Sequence, residues 1–411
     1  MEDLIRALDD VVRCEKGRVV GGLVRLFGSL DAAEEAFQDA VVAALARWPS
    51  DGTPDNPAAW LTATARNHAL DAARHRSVVK RKTSWLKVDD MVAPSTIESV
   101  SDDLLRLIFT CCHPALTLDS QVALTLKVVA GFSTDEIARA FLSPEKTVAQ
   151  RLTRAKAVIQ EKRLPYEVPE RAELSQRLAS VLAVVYLIFN EGHTARAGTL
   201  MRLDLQEEAL RLARLLCDLL PNEPETYALF ALVAFSLARA ASRTDERGEV
   251  LLLAQQDRTR WNRPLIKEAL MALTRARRLG ATDSYRWQAE IAACHVTAPT
   301  WEHTDWGRIV TAYDQLVASS PSPVVALNRA VALSMIAGPA EALEALAPLE
   351  APLHQYHLFY ATRADLRRRL GQDGRDDYAR ALALTTNEGE RRFLQRQLED
   401  HESERKMRSL T

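Results

Sequence analysis

Two short segments collect many of the basic side chains, and lysine and arginine are the groups that grip nucleic-acid phosphates and read base edges. Residues 66–87 hold seven bases against one acid, and residues 139–163 hold seven bases against two acids. A basic stretch is most often only the solvated face of a helix. Two such stretches on separate helical units instead favour contact with a nucleic acid.

Acidic side chains fill the stretches beside these basic segments. The acids between residues 31 and 39 have no basic neighbour within that stretch, and residues 88–103 form an acidic linker interrupted by a proline. The surplus of acids in these stretches partly offsets the surplus of bases in the two basic segments, and the formal net charge of the chain is −2. That balance excludes a globally basic, histone-like protein, although the local segments keep their own strong charge.

The elements that position these groups are predicted to be helices. Of 411 residues only 15 are Gly and 17 are Pro, while 47% are apolar and 6% are aromatic. Few helix breakers and a large apolar fraction predict an all-α protein with a substantial core. Collagen-like, disordered and small disulfide-scaffold classes are excluded by the same composition.

Cysteine usage and hydropathy predict the cellular compartment of the chain. Five cysteines in so long a chain do not indicate a disulfide framework, so a reducing cytoplasm is expected. No signal peptide is visible at the N-terminus, and the longest uninterrupted apolar run, residues 181–189, is too short to span a bilayer. We therefore expect a cytoplasmic protein with no membrane partner.

The first helical unit extends to about residue 87. Apolar residues recur at helical spacing after Asp31, a predicted cap, and the Pro-containing stretch 48–56 is predicted to end that helix. Asn56 followed by Pro57 predicts a new helix with the asparagine as its N-cap. That helix carries Trp60, which is equally consistent with a base-stacking platform and with a core residue.

The second helical unit predicts a helix-turn-helix motif. Gly131 ends one helix, and Ser133 with Glu136 forms the capping box of the next. Apolar spacing turns one face of the third helix inward and leaves five polar side chains outward: Lys146, Thr147, Gln150, Arg151 and Arg154. They lie in the half of the helix where a recognition helix contacts bases and phosphates. An ordinary helical hairpin with a hydrated basic face is the alternative.

The remaining chain, residues 170–411, predicts a series of helical pairs. Short polar turns at residues 221–224, 280–283, 320–323 and 386–388 each join two Ala- and Leu-rich segments. The spacing of about 40 to 65 residues predicts stacked tetratricopeptide-type pairs with a concave surface for a protein or peptide. A plain helical domain without a ligand is the alternative.

Cys111, Cys112 and His113 are the only local set that suggests a metal. Adjacent side chains diverge on a helix, and no C-x-x-C pair occurs elsewhere, so buried packing is the preferred interpretation. No catalytic constellation and no phosphate-binding glycine loop is visible. We expect no metal, no cofactor and no enzymatic activity.

Several motifs resemble those of extracytoplasmic-function sigma factors. The sequence LDAAEEAFQD at 30–39, then AWLTATARN at 59–67 and Asp71-x-x-Arg74, is similar to their region two. GFSTDEIA at 131–138 and TVAQRLTRAK at 147–156 are similar to their region four. DLLRLIFTCCHPAL at 103–116 and YLIFNEG at 186–192 resemble a subgroup with a long tetratricopeptide-like C-terminal extension. Together these resemblances cover nearly the whole chain.

The resemblance implies a non-catalytic factor that binds the clamp and flap regions of core RNA polymerase and directs it to promoter DNA. It assigns polymerase docking to Asp31, Glu34, Glu35, Gln38 and Asp39. It assigns the −10 element to Trp60, Arg66, Asn67 and Arg74, although Arg66 and Asn67 also suit a structural polar network. It assigns the −35 element to Lys146, Thr147, Gln150, Arg151 and Arg154.

The domains implied are a region-two domain (1–87), an acidic linker (88–102), a region-four domain (103–165) and the C-terminal extension (170–411). One departure is Pro144, which lies near a serine that caps the recognition helix in many relatives. Ser143 is then the predicted cap, with Pro144 in the first turn.

Two other functions remain open from the residues alone. A conventional helix-turn-helix regulator with a repeat sensor domain would bind duplex DNA without polymerase. An interaction scaffold would tolerate charge reversal of its basic faces. If the chain is a sigma factor, its extension either masks the DNA-binding units or is required for activity.

Overall fold

The computed structural model describes residues 2–57, 59–68, 97–141, 143–193, 203–245, 251–385 and 391–399. The chain divides into two compact units, Met1–Glu191 and Gly192–Thr411. Within the described residues the regular secondary structure is helical, which confirms the all-α prediction. Arg74 and most of the acidic linker lie outside these residues.

The first unit contains eight described helices, the last of which runs two residues past its end. They are α1 (Glu2–Phe27), α2 (Leu30–Asp51), α3 (59–68), α4 (Ile97–Cys111), α5 (Leu118–Leu124), α6 (Thr134–Ala140), α7 (Glu145–Glu161) and α8 (Arg171–His193). Helix α5 continues directly into a π-helical turn, Thr125–Val129. A single-turn π segment of this kind occurs often at functional sites.

Glycines on α1 allow that helix to lie directly against α4 and the π-helical turn. A Cβ atom at Gly21 would lie 2.9 Å from the carbonyl oxygen of Asp103, and one at Gly17 would lie 3.0 Å from that of Val129. The phenol of Tyr166 donates to the carbonyl oxygens of Gly21 and Asp103 at 2.7 and 2.8 Å. Helices α1 and α4 are therefore held close together by contacts among Gly21, Asp103 and Tyr166.

Local signals at α2 differ from those expected from the sequence. Ser29, not Asp31, is the N-cap, and its hydroxyl accepts from the backbone N–H of Ala32. The helix also continues through Pro49 to Asp51, because a proline in the last turn removes only one backbone donor. It ends at Gly52, whose φ of 82° is readily adopted by glycine.

The second unit contains ten described helices. They are α9 (Leu203–Leu219), α10 (Pro224–Leu237), α11 (Arg263–Leu279), α12 (Ser284–Thr297), α13 (Trp306–Ser319), α14 (Pro323–Leu333), α15 (Pro339–Leu346), α16 (His357–Arg369), α17 (Arg375–Leu384) and α18 (391–399). Successive helices from α9 to α17 pack on one another. Four pairs of consecutive helices, α9–α10, α11–α12, α13–α14 and α17–α18, flank the polar turns noted in the sequence.

Helix α8 is long and apolar enough between Arg171 and Glu191 to cross a membrane by length and composition. Several of its apolar side chains are buried, among them Leu178, Val181 and Val185. The guanidinium of Arg177 also donates to the carbonyl oxygen of Phe109 at 3.0 Å, which ties α8 to α4. A core helix of a folded domain shows the same burial and polar anchoring.

Candidate functional site

Helices α6 and α7 form the helix-turn-helix pair that the sequence predicts. Ser133 and Glu136 make the capping box of α6, with N–O distances of 2.7 and 3.1 Å. Val148, Leu152 and Ala155 are buried on the inner face of α7. Their spacing fixes which face of the helix is left for a ligand.

The outward face of α7 carries all five side chains predicted to contact the −35 element. Lys146, Thr147, Gln150 and Arg154 are exposed. Arg151 is half-buried, and its guanidinium pairs with the carboxylate of Asp119 on α5 at 3.1 Å. Four groups therefore present one open polar stripe, while the fifth is already engaged by a neighbouring helix.

The start of α7 differs by one residue from the expected cap. Pro144 occupies the N-cap position and the helix begins at Glu145. The hydroxyl of Ser143 instead donates to the carbonyl oxygen of Phe141 at 3.1 Å. The first turn of α7 thus has no side-chain cap, and the backbone N–H of Thr147 donates to the carbonyl oxygen of Pro144 at 2.9 Å.

Helix α3 begins where Asn56 accepts a hydrogen bond from the N–H of Ala59 at 3.0 Å, as the sequence predicts. Trp60 is half-buried and meets Trp48 edge to face, with ring centroids 5.4 Å apart. Arg66 is half-buried and Asn67 is exposed. Trp60 thus combines a packing contact with a partly open surface, and Arg74 lies beyond the described part of this helix.

The acids assigned to polymerase docking divide into two sets on α2. Asp31, Glu35, Gln38 and Asp39 are exposed, whereas Glu34 is buried with 7% of its side chain accessible. Burial follows from spacing, because Glu34 lies on the face that carries the buried residues Ala33 and Phe37. Glu34 therefore cannot meet a partner protein in this arrangement.

A chain of ion pairs joins α2 to α7 through Glu34. The ammonium of Lys156 lies 2.6 Å from a carboxylate oxygen of Glu34 and 2.8 Å from one of Asp31. The ammonium of Lys16 on α1 lies 3.7 Å from the other carboxylate oxygen of Glu34, and it donates to the carbonyl oxygen of Lys127 at 2.7 Å. We call Lys16, Asp31, Glu34 and Lys156 the α2–α7 ion cluster.

Burial and nearby charges shift the pKa values of the two lysines of this cluster in opposite directions. Burial lowers the pKa of Lys16 to about 8, although Glu34 partly opposes the shift. Burial also acts to lower the pKa of Lys156, but the carboxylates of Glu34 and Asp31 outweigh it and raise the pKa. Lys156 is therefore the firmly charged partner. The sequence places it among the bases of α7 but gives no sign of this contact, which spans 125 residues.

Cys111 and Cys112 are both fully buried, as the packing interpretation expects. The Cys112 sulfur lies 3.5 Å from the hydroxyl of Thr125. Burial raises the pKa of the Cys112 thiol to about 12 and that of Cys111 well above its ordinary value. Among the described residues no group of three or more His, Cys, Asp or Glu side chains could hold a metal ion.

The raised pKa values of these two thiols predict a loss of stability at alkaline pH. Above about pH 8.5 they ionise in the unfolded chain but stay neutral when folded, so the unfolded state binds fewer protons and stability falls as pH rises. Lys16 has a lowered pKa in the folded state, so its titration makes stability rise with pH. This contribution is the same in the native protein and in the cysteine variant compared below, and it cancels in the difference. Between pH 8 and 10 the native protein is expected to lose about 3 kcal/mol more unfolding free energy than a Cys111→Ala/Cys112→Ala variant. Urea titrations at each pH measure this, and equal slopes would contradict it.

Comparison with known proteins matches three segments of the chain. Residues 11–78 match Sigma-70 region 2, residues 106–159 match Sigma-70, region 4, and residues 177–277 match a family of unknown function (DUF6596). An uncharacterized protein of Rhizobium meliloti (strain 1021) is 42% identical over 397 residues, covering 93% of each chain. The tetratricopeptide-like character of the C-terminal part stays a prediction, because the family matched there has no described function.

Proposed function

The chain belongs to the sigma-70 family, which serves promoter recognition by RNA polymerase, and from this premise we propose separate tasks for three helices. Helix α2 docks on the core polymerase, α3 and the stretch after it contact the −10 element, and α7 contacts the −35 element. The observation that carries the proposal is the open polar stripe of α7, with four groups suited to bases and phosphates on one face.

Docking on polymerase is supported by the exposed acids of α2. Glu35 and Asp39 lie four residues apart and so share one face of the helix, with Gln38 beside them. Such a face complements a basic surface, and complementary charge speeds and orients association. The resemblance to region two supplies the partner, the clamp of the core enzyme.

The α2–α7 ion cluster suggests that the free chain holds its two binding faces together. Elements named −10 and −35 lie about 25 base pairs apart, which is roughly 85 Å of duplex at about 3.4 Å per base pair. Helix α7 touches α2 and is only about 25 Å long, at 1.5 Å per residue. We infer that α7 separates from α2 when both elements are bound.

The C-terminal region is proposed to regulate or support this activity by binding a protein or peptide on its helical surface. The experiment that separates masking from support is truncation after Glu191, which keeps all but the last two residues of α8 and its contact with α4. Higher promoter activity would indicate masking, and lost activity would indicate a positive role. We further propose a non-catalytic protein of the cytoplasm, in keeping with the sigma-70 regions.

Reconstituted transcription tests the proposed function directly. Core RNA polymerase alone, and core polymerase with the full chain, are incubated with a fragmented bacterial genome, and transcript starts are sequenced. We expect new starts that share two sequence elements and that depend on the chain. Tight duplex binding without polymerase and no new starts would instead indicate a conventional helix-turn-helix regulator.

A further inference from the structure

Two arginines and a histidine in the second unit come together without an ion-paired acid among the described residues. Arg239 follows α10, Arg258 lies in the short turn before α11, and His295 lies near the end of α12. All three residues are half-buried, so part of each is accessible to solvent. We call these three residues the Arg239–Arg258 cluster.

Arg258 is fixed in place by backbone and aromatic contacts. One of its terminal nitrogens donates to the carbonyl oxygens of His295 and Ala298, both at 2.7 Å, at the end of α12. Its guanidinium also lies over the ring of Trp261, 4.6 Å from the centroid. The second terminal nitrogen, Nη2, is buried and has no hydrogen-bond partner among the described residues.

The other members of the cluster also carry buried polar atoms without partners. Within the described part of the chain, neither the Nε of Arg239 nor the Nδ1 of His295 has a hydrogen-bond acceptor or donor. The Arg239 guanidinium likewise makes no ion pair with a described residue. Three buried nitrogens from three separate elements are thus left unsatisfied, whereas such groups in folded proteins are normally paired.

No carboxylate of the described residues forms an ion pair with either guanidinium of the cluster. Burial lowers the pKa of Arg239 to about 10, and the charges of Arg243 and Arg258 contribute to this shift. Burial, together with Arg239 and Arg258, lowers the pKa of His295 to about 4, so the imidazole is neutral at pH 7. Glu302 is the acid that acts on Arg258, but it is exposed and accepts from the hydroxyl of Thr300 at 2.7 Å.

Aromatic side chains hold the histidine edge of the cluster rigid. The imidazole of His295 stacks on Trp301 at 6.2 Å and meets Trp306 edge to face at 5.4 Å. The two tryptophans contact each other at 4.7 Å. A cationic group that is held rigid in a partly buried place, without an ion-pair partner among the described residues, costs folding energy unless a counter-charge completes it.

We propose that the Arg239–Arg258 cluster is a binding site for the phosphate group of a small phosphorylated molecule. Two guanidiniums that form no ion pair with a described residue match a doubly charged oxyanion, whereas a carboxylate would leave one charge uncompensated. Donors that come from three elements also suit a tetrahedral group with several oxygens, and guanidinium is the side chain best matched to phosphate. The site belongs to the C-terminal unit and does not rest on the proposed promoter function.

Inorganic phosphate is the probe that tests the proposal on the full chain. In thermal unfolding at constant ionic strength, phosphate at about ten times its Kd is expected to raise the unfolding temperature by roughly 3 °C. Chloride and acetate at the same ionic strength are expected to give no such rise. Titration calorimetry should show one saturable site per chain. Equal stabilisation by all three salts, or no saturable heat with phosphate, would overturn the proposal.

An Arg239→Met variant separates binding from folding. Because Arg239 makes no polar contact with a described residue, its replacement should leave the unfolding temperature without phosphate unchanged or higher. The variant should also lose the response to phosphate. Arg278→Met, which removes an exposed arginine of α11, is the matched control and should keep the response. A phosphate response that survives in Arg239→Met, or a variant that is strongly destabilised without phosphate, would contradict the assignment.

Discussion

Transcription from a promoter with a −35 element is expected to fall about ten- to a hundredfold when Arg154 is changed to glutamate. Arg154 is exposed on α7, beside the buried residues Leu152 and Ala155 that hold the helix, and it makes no ion pair with any described residue. Replacing a free cation by an anion turns attraction for the duplex into repulsion. Loss of a single base or phosphate contact by arginine costs about 1–3 kcal/mol, which corresponds to this range.

The same variant should leave folding and polymerase binding unchanged, because Arg154 contributes to neither the core nor α2. Unfolding curves and a polymerase pull-down check this. Arg171→Glu, at an exposed position at the start of α8, makes the same change of charge away from α7 and should retain full activity. Equal transcription by both variants would contradict a role for the α7 stripe in promoter binding.

A second template separates a DNA-contacting role of Arg154 from a structural one. Its −10 region is already opened, and it lacks a −35 element. Arg154→Glu should perform as well as the native chain there, because under the proposed assignment only region two contacts that template. A loss of activity on both templates would instead indicate a defect in polymerase docking or in folding. The two templates therefore distinguish a DNA-contacting arginine from a structural one.

Features encoded within one or two helical turns could be predicted from the sequence. The capping box of Ser133 and Glu136 depends on residues three apart, and the outward stripe of α7 follows from the period of the helix. The Asn56 cap is local in the same way. Where two polar residues compete within a few positions, as Ser29 and Asp31 do, the sequence alone does not decide which one caps.

Features that join distant parts of the chain could not be predicted. Lys156 resembles any other base of α7 until the fold brings it to Glu34, and nothing in the spacing of α2 says that one of its acids has an internal partner. Likewise Arg239, Arg258 and His295 are separated by 19 and 37 residues and show no motif. The proposal for these residues rests on their burial and on atoms without hydrogen-bond partners among the described residues, and only tertiary structure shows either.

The first unit is expected to lose about 2–3 kcal/mol of unfolding free energy in a Lys156→Ala variant. Removing one partner of a buried ion pair leaves the other charge uncompensated, and such changes typically cost about 3–5 kcal/mol. Here Lys16 at 3.7 Å from Glu34 retains part of the compensation, so a smaller loss is expected. Urea unfolding measures it, and Lys162→Ala, at an exposed position at the end of α7, is the control that should cost little.

A double-variant cycle shows whether the loss arises from the pair itself. Glu34→Gln removes the charge that Lys156 compensates while keeping nearly the same volume. The double variant Glu34→Gln/Lys156→Ala should therefore be less destabilised than the sum of the two single variants. Simple additivity would mean that Lys156 stabilises the unit through packing of its aliphatic part rather than through its charge.

The same substitution should have the opposite effect on polymerase binding. If contact between α2 and α7 competes with docking, weakening that contact raises the share of chains whose α2 is free, and the apparent Kd falls by that factor. We expect Lys156→Ala to bind core polymerase several-fold more tightly, and Glu35→Lys/Asp39→Lys to bind it far more weakly without loss of stability. Unchanged polymerase affinity in Lys156→Ala, together with the expected loss of stability, would show that the α2–α7 ion cluster is structural and that α2 docks without leaving α7.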